Sequence, residues 1–128
     1  MRLLLDTHVL LWWLFDDPAL SLPARTAIAD RANTVYVSGA SAWEIATKWR
    51  LGRLSEAENA VKQLPQLLGT AGFESLTITV AHALAAGTMA TEHRDPFDRM
   101  LIAQAAIEGL RLVSKDSVIA ALFPDVLW

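Results

Sequence analysis

Short apolar runs alternate along this chain with longer stretches of helical periodicity, and acids stand close behind the runs or at the helix starts. Asp6 closes MRLLLD, and Asp116 closes LRLVSKD. Glu44 lies shortly after Val35-Tyr36-Val37, and Asp98 sits in DPFDRMLIAQAA. Strands alternating with helices of this length predict right-handed βαβ crossovers and a parallel sheet covered on both faces. In such a sheet the residues beyond the carboxyl ends of the strands gather at one rim. Carboxylates crowded there repel one another, and a hard divalent cation held by oxygen ligands is the usual remedy.

The chain of 128 residues is long enough for one domain with a real core, spanning residues 1–128, with no linker, repeat or low-complexity stretch. Arg2 to Leu5, Thr34 to Val37, Phe73 to Thr79 and Leu110 to Ser114 are expected as strands, with Val126 to Trp128 as a possible edge strand. Helices are expected over Thr7 to Phe15, Ser21 to Ala32, Ser41 to Trp49, Glu56 to Leu68 (closed by Gly69), Val80 to Met89, Pro96 to Glu108 and Ser117 to Leu122. The fold class is therefore α/β, a central parallel sheet of four to five strands flanked by helices.

Composition narrows the chemistry. There is no cysteine, which excludes disulfides, thiolate metal sites and a cysteine nucleophile and fits a reducing, cytoplasmic location. No apolar run reaches the roughly 20 residues needed to span a bilayer, so no membrane role is expected. The opening MRLLLDTHVLLWWLF lacks a small-residue cleavage site and is not read as a signal peptide. A net charge of -3 argues against indiscriminate nucleic-acid binding by bulk charge, but leaves room for a local basic rim.

Each acid has a bland alternative. Asp6 suits a helix N-cap, as does Thr7 after it. Ser41 and Glu44 match the S-x-x-E capping box, which taken alone favours capping for Glu44. Asp95 before Pro96 suits an N-cap with proline at the first helical position, and Asp98 then complements the helix dipole. A helix start needs one such acid and here there are two, so Asp95 is read mainly as the cap and Asp98 as a ligand. Asp116 before Ser117 is again a cap or a site residue. The joint placement on one rim is the stronger signal.

Such a site favours metal-assisted phosphodiester hydrolysis, in which cations about 4 Å apart orient the phosphate, generate hydroxide and stabilise the leaving oxygen. Mg²⁺ suits it because it keeps waters and takes few carboxylates. Lys48, Arg50, Arg53, Arg94, Arg99 and Lys115 surround the acids in sequence and are candidates to hold a polyanion, each with a solvated or salt-bridged helix face as the alternative. His8 and His93 are candidate substrate contacts, with a surface or core-rim histidine as the plainer reading. His82 is read as opening its helix. Of the five tryptophans, Trp12, Trp13, Trp43 and Trp49 lie on expected helices, where core packing is the default and an exposed strip would mark an interface.

LLLDTHVLLW, SGASAWEIATKWRLGRL, EHRDPFDRMLIAQA and LVSKD, in this order, resemble the PIN-domain ribonucleases, most of all the VapC-type toxins of bacterial toxin–antitoxin pairs. The resemblance covers essentially the whole chain. It implies a central parallel sheet, a Mg²⁺ or Mn²⁺ site and endonuclease action on RNA. Carried over by motif, the ligands and catalytic acids are Asp6, Glu44, Asp98 and Asp116, with Asp95 as a further candidate ligand just upstream. Thr7 and Ser114 match positions whose hydroxyls support the site. The resemblance further implies a homodimer and inhibition by a cognate antitoxin, which often inserts a basic or aromatic segment into the site. Two departures are mild: SKD stands where TRD is common, and MATEH adds Glu92 near the site mouth. The expected reaction is in-line attack of water on an RNA phosphate, leaving a 5′-phosphate and a 3′-hydroxyl, with activity falling as acid protonates the carboxylates.

Two rivals remain at this point. A catalytically silent RNA- or protein-binding module on the same fold is one. The other is a haloacid-dehalogenase-like phosphatase, which needs a second Asp two residues after the first, where this chain has His8.

Overall fold

Each apolar run becomes a strand of one sheet. The computed structural model describes residues 1–128, with β1 (Arg2–Leu5), β2 (Thr34–Ser38), β3 (Glu74–Leu76), β4 (Arg111–Val113) and β5 (Val126–Leu127) in the order β3-β2-β1-β4-β5. All four pairings are parallel. Seven helices connect them: α1 (Thr7–Leu14), α2 (Leu22–Ala29), α3 (Gly39–Arg50), α4 (Glu58–Ala71), α5 (Val80–Thr88), α6 (Pro96–Glu108) and α7 (Ser117–Leu122).

β1 is the central strand, and Leu3, Leu4 and Leu5 are each 0% exposed. The pleat sends successive side chains to opposite faces. Leu3 and Leu5 enter the larger core with residues of α1, α2, α3 and α4, whereas Leu4 joins Leu101, Ile102 and Ala105 of α6 and Ile119 of α7. Burial on both faces is why β1 reads as a continuous apolar run and not as an alternation.

The structure moves several boundaries. β3 is limited to Glu74–Leu76, because its partner β2 ends at Ser38, paired with Leu76, and residues further on find no ladder. α3 starts two residues before the expected Ser41, since Ser38 is its N-cap and accepts the Ala40 N–H. α4 does not stop at Gly69. It runs on to Ala71, and Gly72, at φ 75°, supplies the left-handed cap. Within α4, Pro65 removes one helical donor, and Gln63 leaves helical geometry at φ -131°. Trp43 is 61% exposed and meets Phe97 edge-on, so core packing does not explain it.

The two glycines of the α4 terminus predict opposite responses. A Cβ at Gly69 meets nothing within 4 Å in helical geometry, so Gly69→Ala raises the unfolding free energy by about 0.5–1 kcal/mol. Gly72→Ala forces a side chain into the left-handed region and lowers it by about 1–2 kcal/mol. Urea denaturation of both variants checks this, and changes of the same sign would show that the cap is misplaced.

Candidate metal centre

Buried polar groups collect at the carboxyl edge of the sheet. Of the eight buried polar or charged residues, only His82 and Gln104 lie elsewhere; Asp6, Ser38 and Ser114 stand at strand ends, and Thr7, Ser41 and Glu44 on the first two turns of α1 and α3. Buried polar groups are costly unless partnered, so this edge is where the fold spends stability.

Asp6 occupies the N-cap position of α1, but its side chain makes no capping bond. It turns to β4 instead, where Ser114 Oγ donates to Asp6 Oδ2 at 2.8 Å. The same Ser114 hydroxyl accepts the backbone N–H of Asp116 at 3.0 Å. Thr7 Oγ1 donates to Ser41 Oγ at 3.0 Å and so ties α1 to α3. Burial pushes the Asp6 carboxyl above the ordinary range; the Ser114 hydroxyl, His8 and the Thr7 N–H pull it back, and the Glu44 charge adds to the rise.

Glu44 does not form the capping box. Its buried carboxylate receives Lys48 Nζ at 2.6 Å one turn along α3. Asp98, on the first turn of α6, lies 2.9 Å from His93 Nε2. Its carboxyl is pushed up to about 6, first by burial, against the opposing His93 hydrogen bond, with the charges of Asp95, Asp6 and Glu44 adding to the rise. Asp6, Glu44 and Asp98 therefore share one electrostatic neighbourhood although they come from three separate segments. Asp95 is the α6 cap, accepting the N–H groups of Phe97 and Asp98. Asp116 caps α7, accepting the Val118 N–H at 2.8 Å, and lines a small concavity with Asp6.

No three acidic or histidine side chains stand close enough to share one cation as they lie. Ser114, Lys48 and His93 hold the carboxylates singly. The donor set still fits a hard divalent cation. It is all oxygen, and burial together with neighbouring charges raises the proton affinity of Asp6 and Asp98, an excess of negative charge that a cation relieves. Mg²⁺ in particular needs only one or two carboxylates and keeps several waters.

The basic residues divide sharply. Arg94 and Lys115, next in sequence to Asp95 and Asp116, are exposed, and so are Arg50, the last residue of α3, and Arg53 beyond it. Lys48 is engaged by Glu44. Arg99, expected at the substrate, is committed to the backbone: Nε donates to the Ala86 carbonyl at 2.9 Å, Nη1 to those of Thr91 and His93, and Nη2 to those of Gly87 and Met89. A guanidinium has five N–H donors, so none is left for a phosphate. Arg99 instead fixes the loop that presents His93 to Asp98. His82 opens α5 as expected, through a reciprocal cap with Thr79, and is also held by Glu108 at 2.9 Å. The role of Ser41 was not visible in the sequence, because its partner Thr7 lies 34 residues away.

Comparison with known proteins gives a consistent picture. The PIN domain family model matches residues 3–122. Ribonuclease VapC22 of Mycobacterium tuberculosis (strain ATCC 25618 / H37Rv) is 34% identical over 113 residues, covering 88% of this chain and 85% of that protein. Ribonuclease VapC16 of the same organism is 34% identical over 73 residues, 55% of this chain and 52% of that protein. Among solved structures, VapBC-1 from nontypeable Haemophilus influenzae aligns with a TM-score of 0.64 at 15% identity, over 100% of this chain and 96% of that one. VapBC2 from Rickettsia felis, bound to a DNA fragment from their promoter, aligns at 0.63 and 16% identity, over 99% and 96%. These two likenesses concern the fold alone.

Two measurements test the geometry. The raised Asp98 pKa means that the folded, metal-free protein binds this proton more tightly than the unfolded chain, so this group's contribution to stability falls as pH rises from about 4 to about 6. Asp98→Asn is therefore expected to stabilise the metal-free protein at neutral pH by roughly 1–2 kcal/mol, after allowing for the solvent that still reaches the carboxyl. The gain should vanish near pH 4, and a pH-independent effect would refute the assignment. Separately, Arg99→Lys leaves several carbonyls without donors and should cost about 2–4 kcal/mol, with faster amide exchange over residues 87–93. Wild-type stability in that variant would return Arg99 to the list of substrate contacts.

Proposed function

This chain belongs to the PIN-domain family and is of the VapC type, and we propose that it is a metal-dependent endoribonuclease, the toxin of a toxin–antitoxin pair. The observation that carries this is the shared buried neighbourhood of Asp6, Glu44 and Asp98 at the sheet's carboxyl edge. Both relatives are ribonucleases by name, which supports RNA as substrate. The neighbouring structures were solved as VapBC pairs, and one is described as a toxin–antitoxin complex from Klebsiella pneumoniae, which supports an antitoxin partner. A homodimer and a cytoplasmic location complete the proposal. No helix is long and apolar enough to cross a membrane.

Asp6, Glu44, Asp98 and Asp116 are the residues that would hold one or two Mg²⁺ ions, or Mn²⁺, with Asp95 behind Asp98. When bound, the cation supplies charge neutralisation at the phosphate and a lowered pKa for attacking water. Ser114 keeps Asp6 oriented toward the site while also fixing the backbone at Asp116. His93 does the same for Asp98, under the control of Arg99. Arg94 and Lys115, both exposed near the acids, would hold phosphates neighbouring the one being cut. Water attacks the phosphorus in line, the bond to O3′ breaks, and O3′ leaves with a proton. The products are a 5′-phosphate and a 3′-hydroxyl.

One observation favours a second reading. Lys48 already neutralises Glu44, and no three ligands are preassembled, as expected for an RNA- or protein-binding module with a silent site. Cleavage separates the two. Purified chain, free of any partner, is incubated with single-stranded and structured RNA in Mg²⁺, Mn²⁺ or EDTA, beside Asp6→Asn and Asp98→Asn. The nuclease reading expects cleavage by wild type only, abolished by EDTA, with each variant down at least about a hundredfold. It also expects the Mg²⁺ requirement to rise by about tenfold per pH unit below about 6, where protons compete for Asp98. Cleavage that survives both EDTA and Asp98→Asn would sink it, and RNA binding without cleavage would establish the module.

A further inference from the structure

We propose that His8, Trp12 and Trp128 form a nucleobase platform, which stacks one base of single-stranded RNA beside the phosphate to be cut. This rests on the nuclease reading above and extends it to how the substrate is positioned.

His8 and Trp12 are four residues apart on α1 and therefore share one face of the helix. Their ring centroids are 6.0 Å apart with planes inclined by 40°. Trp12 in turn lies 5.7 Å from Trp128, inclined by 55°. The ladder is anchored at its inner end, where Trp12 and Trp128 pack against the larger core, and open at its outer end, where His8 is exposed. An aromatic row held rigid from behind and wet in front presents contact area at little entropic cost.

Its position gives it a role. His8 and Trp12 wall an open concavity of about 280 Å³ whose other lining residues are Asp6, Asp116 and Lys115. Two acids of the candidate centre, one exposed cation and two aromatic rings thus meet in one place. These are the three kinds of group that a nucleotide at a cleavage site needs: oxygen ligands for the cation that holds the scissile phosphate, a positive charge for the next phosphate, and a flat apolar face for the base. A peptide would ask for a different surface. The α3–α4 groove, lined by Val37, Ile45, Val61, Leu64 and Leu68, offers mainly aliphatic carbon and carries no charge among its lining residues. The aromatic concavity has only Trp12 as an apolar wall.

A stacking platform accepts any base, because every base has a π-face. It requires the base to be unstacked from its neighbours, so the occupant is a single-stranded or looped RNA and not a duplex. The platform adds affinity at one nucleotide and leaves sequence choice to other contacts.

The test is steady-state cleavage in Mg²⁺ of a short single-stranded RNA and of the same RNA with the base removed at one nucleotide at a time. His8→Ala, an exposed position that leaves the fold intact, is expected to lower kcat/KM about tenfold, mostly through KM, on the scale of one base–aromatic stack. His8→Phe should stay within about twofold of wild type. Trp12→Ala should follow His8→Ala, with a thermal melt to check its packing. Removing one base next to the cut should cost wild type about tenfold and His8→Ala almost nothing more. Additive losses, or wild-type kinetics in both alanine variants, would overturn the platform while leaving the nuclease reading in place. Alanine variants that cut RNA normally but lose a protein partner would make it a protein-docking surface instead. If wild type cuts no RNA, the platform falls together with the nuclease reading.

Discussion

A carboxylate at the end of a fully buried strand must find a partner or lose its charge. β1 runs through the middle of the sheet with apolar residues on both faces, and its direction delivers Asp6 to the carboxyl edge. What Asp6 finds there is set by register. Leu5 pairs with Val113, which brings Ser114 abreast of Asp6 and lets one hydroxyl serve two strands' ends. A slip of one residue would draw either Arg2 or Asp6 into the positions of the fully buried leucines and part Asp6 from Ser114, so the hydrophobic core enforces the register on which the site depends. Core and site are thus one constraint seen from two sides.

The carboxylates around Asp6 are compensated by unlike means. Glu44 has an ammonium, Asp98 an imidazole, Asp6 a hydroxyl, and Asp95 and Asp116 have helix N-termini. Neither the Ser114 hydroxyl nor the His93 imidazole offsets the full cost of burial, which is why Asp6 and Asp98 hold their protons above the ordinary carboxylate range. The same partners are what a bound cation would have to displace or supplement. Under the proposed metal binding, one form of charge compensation would be exchanged for another, and protons and cation would compete for the same excess negative charge.

Arg99 shows how far a charged residue's role depends on its surroundings. It stands one residue after Asp98, in a segment with Arg94, and by sequence looks like a phosphate contact. In the fold it is enclosed by five carbonyl oxygens from the end of α5 and the loop that follows. That loop places His93, and His93 places Asp98. Lys48 is a similar case at shorter range, since the Glu44 carboxylate one turn away takes up the charge that RNA would otherwise meet. Arg94 and Lys115 are left as the cations nearest the acids that project into solvent.

Local chemistry is what the sequence alone determined. The helices Pro96–Glu108 and Ser117–Leu122 have the ends expected for them, because Asp95, Pro96, Gly109 and Asp116 act on backbone groups within a few residues of themselves. The parallel α/β architecture follows for the same reason: apolar runs and helical periodicities are properties of short windows. Only the tertiary structure decided which acids meet, what each is bonded to, where β3 ends and why Trp43 is exposed. The Ser114–Asp6 bond spans 108 residues and exists through the β1–β4 register. α3 begins at Gly39 and not at Ser41 because Ser38, the last residue of β2, accepts the Ala40 N–H and caps it, a choice set by where β2 leaves the sheet. Hydrogen-bonding capacity is written in residue types, but its use depends on partners that packing brings within about 3 Å.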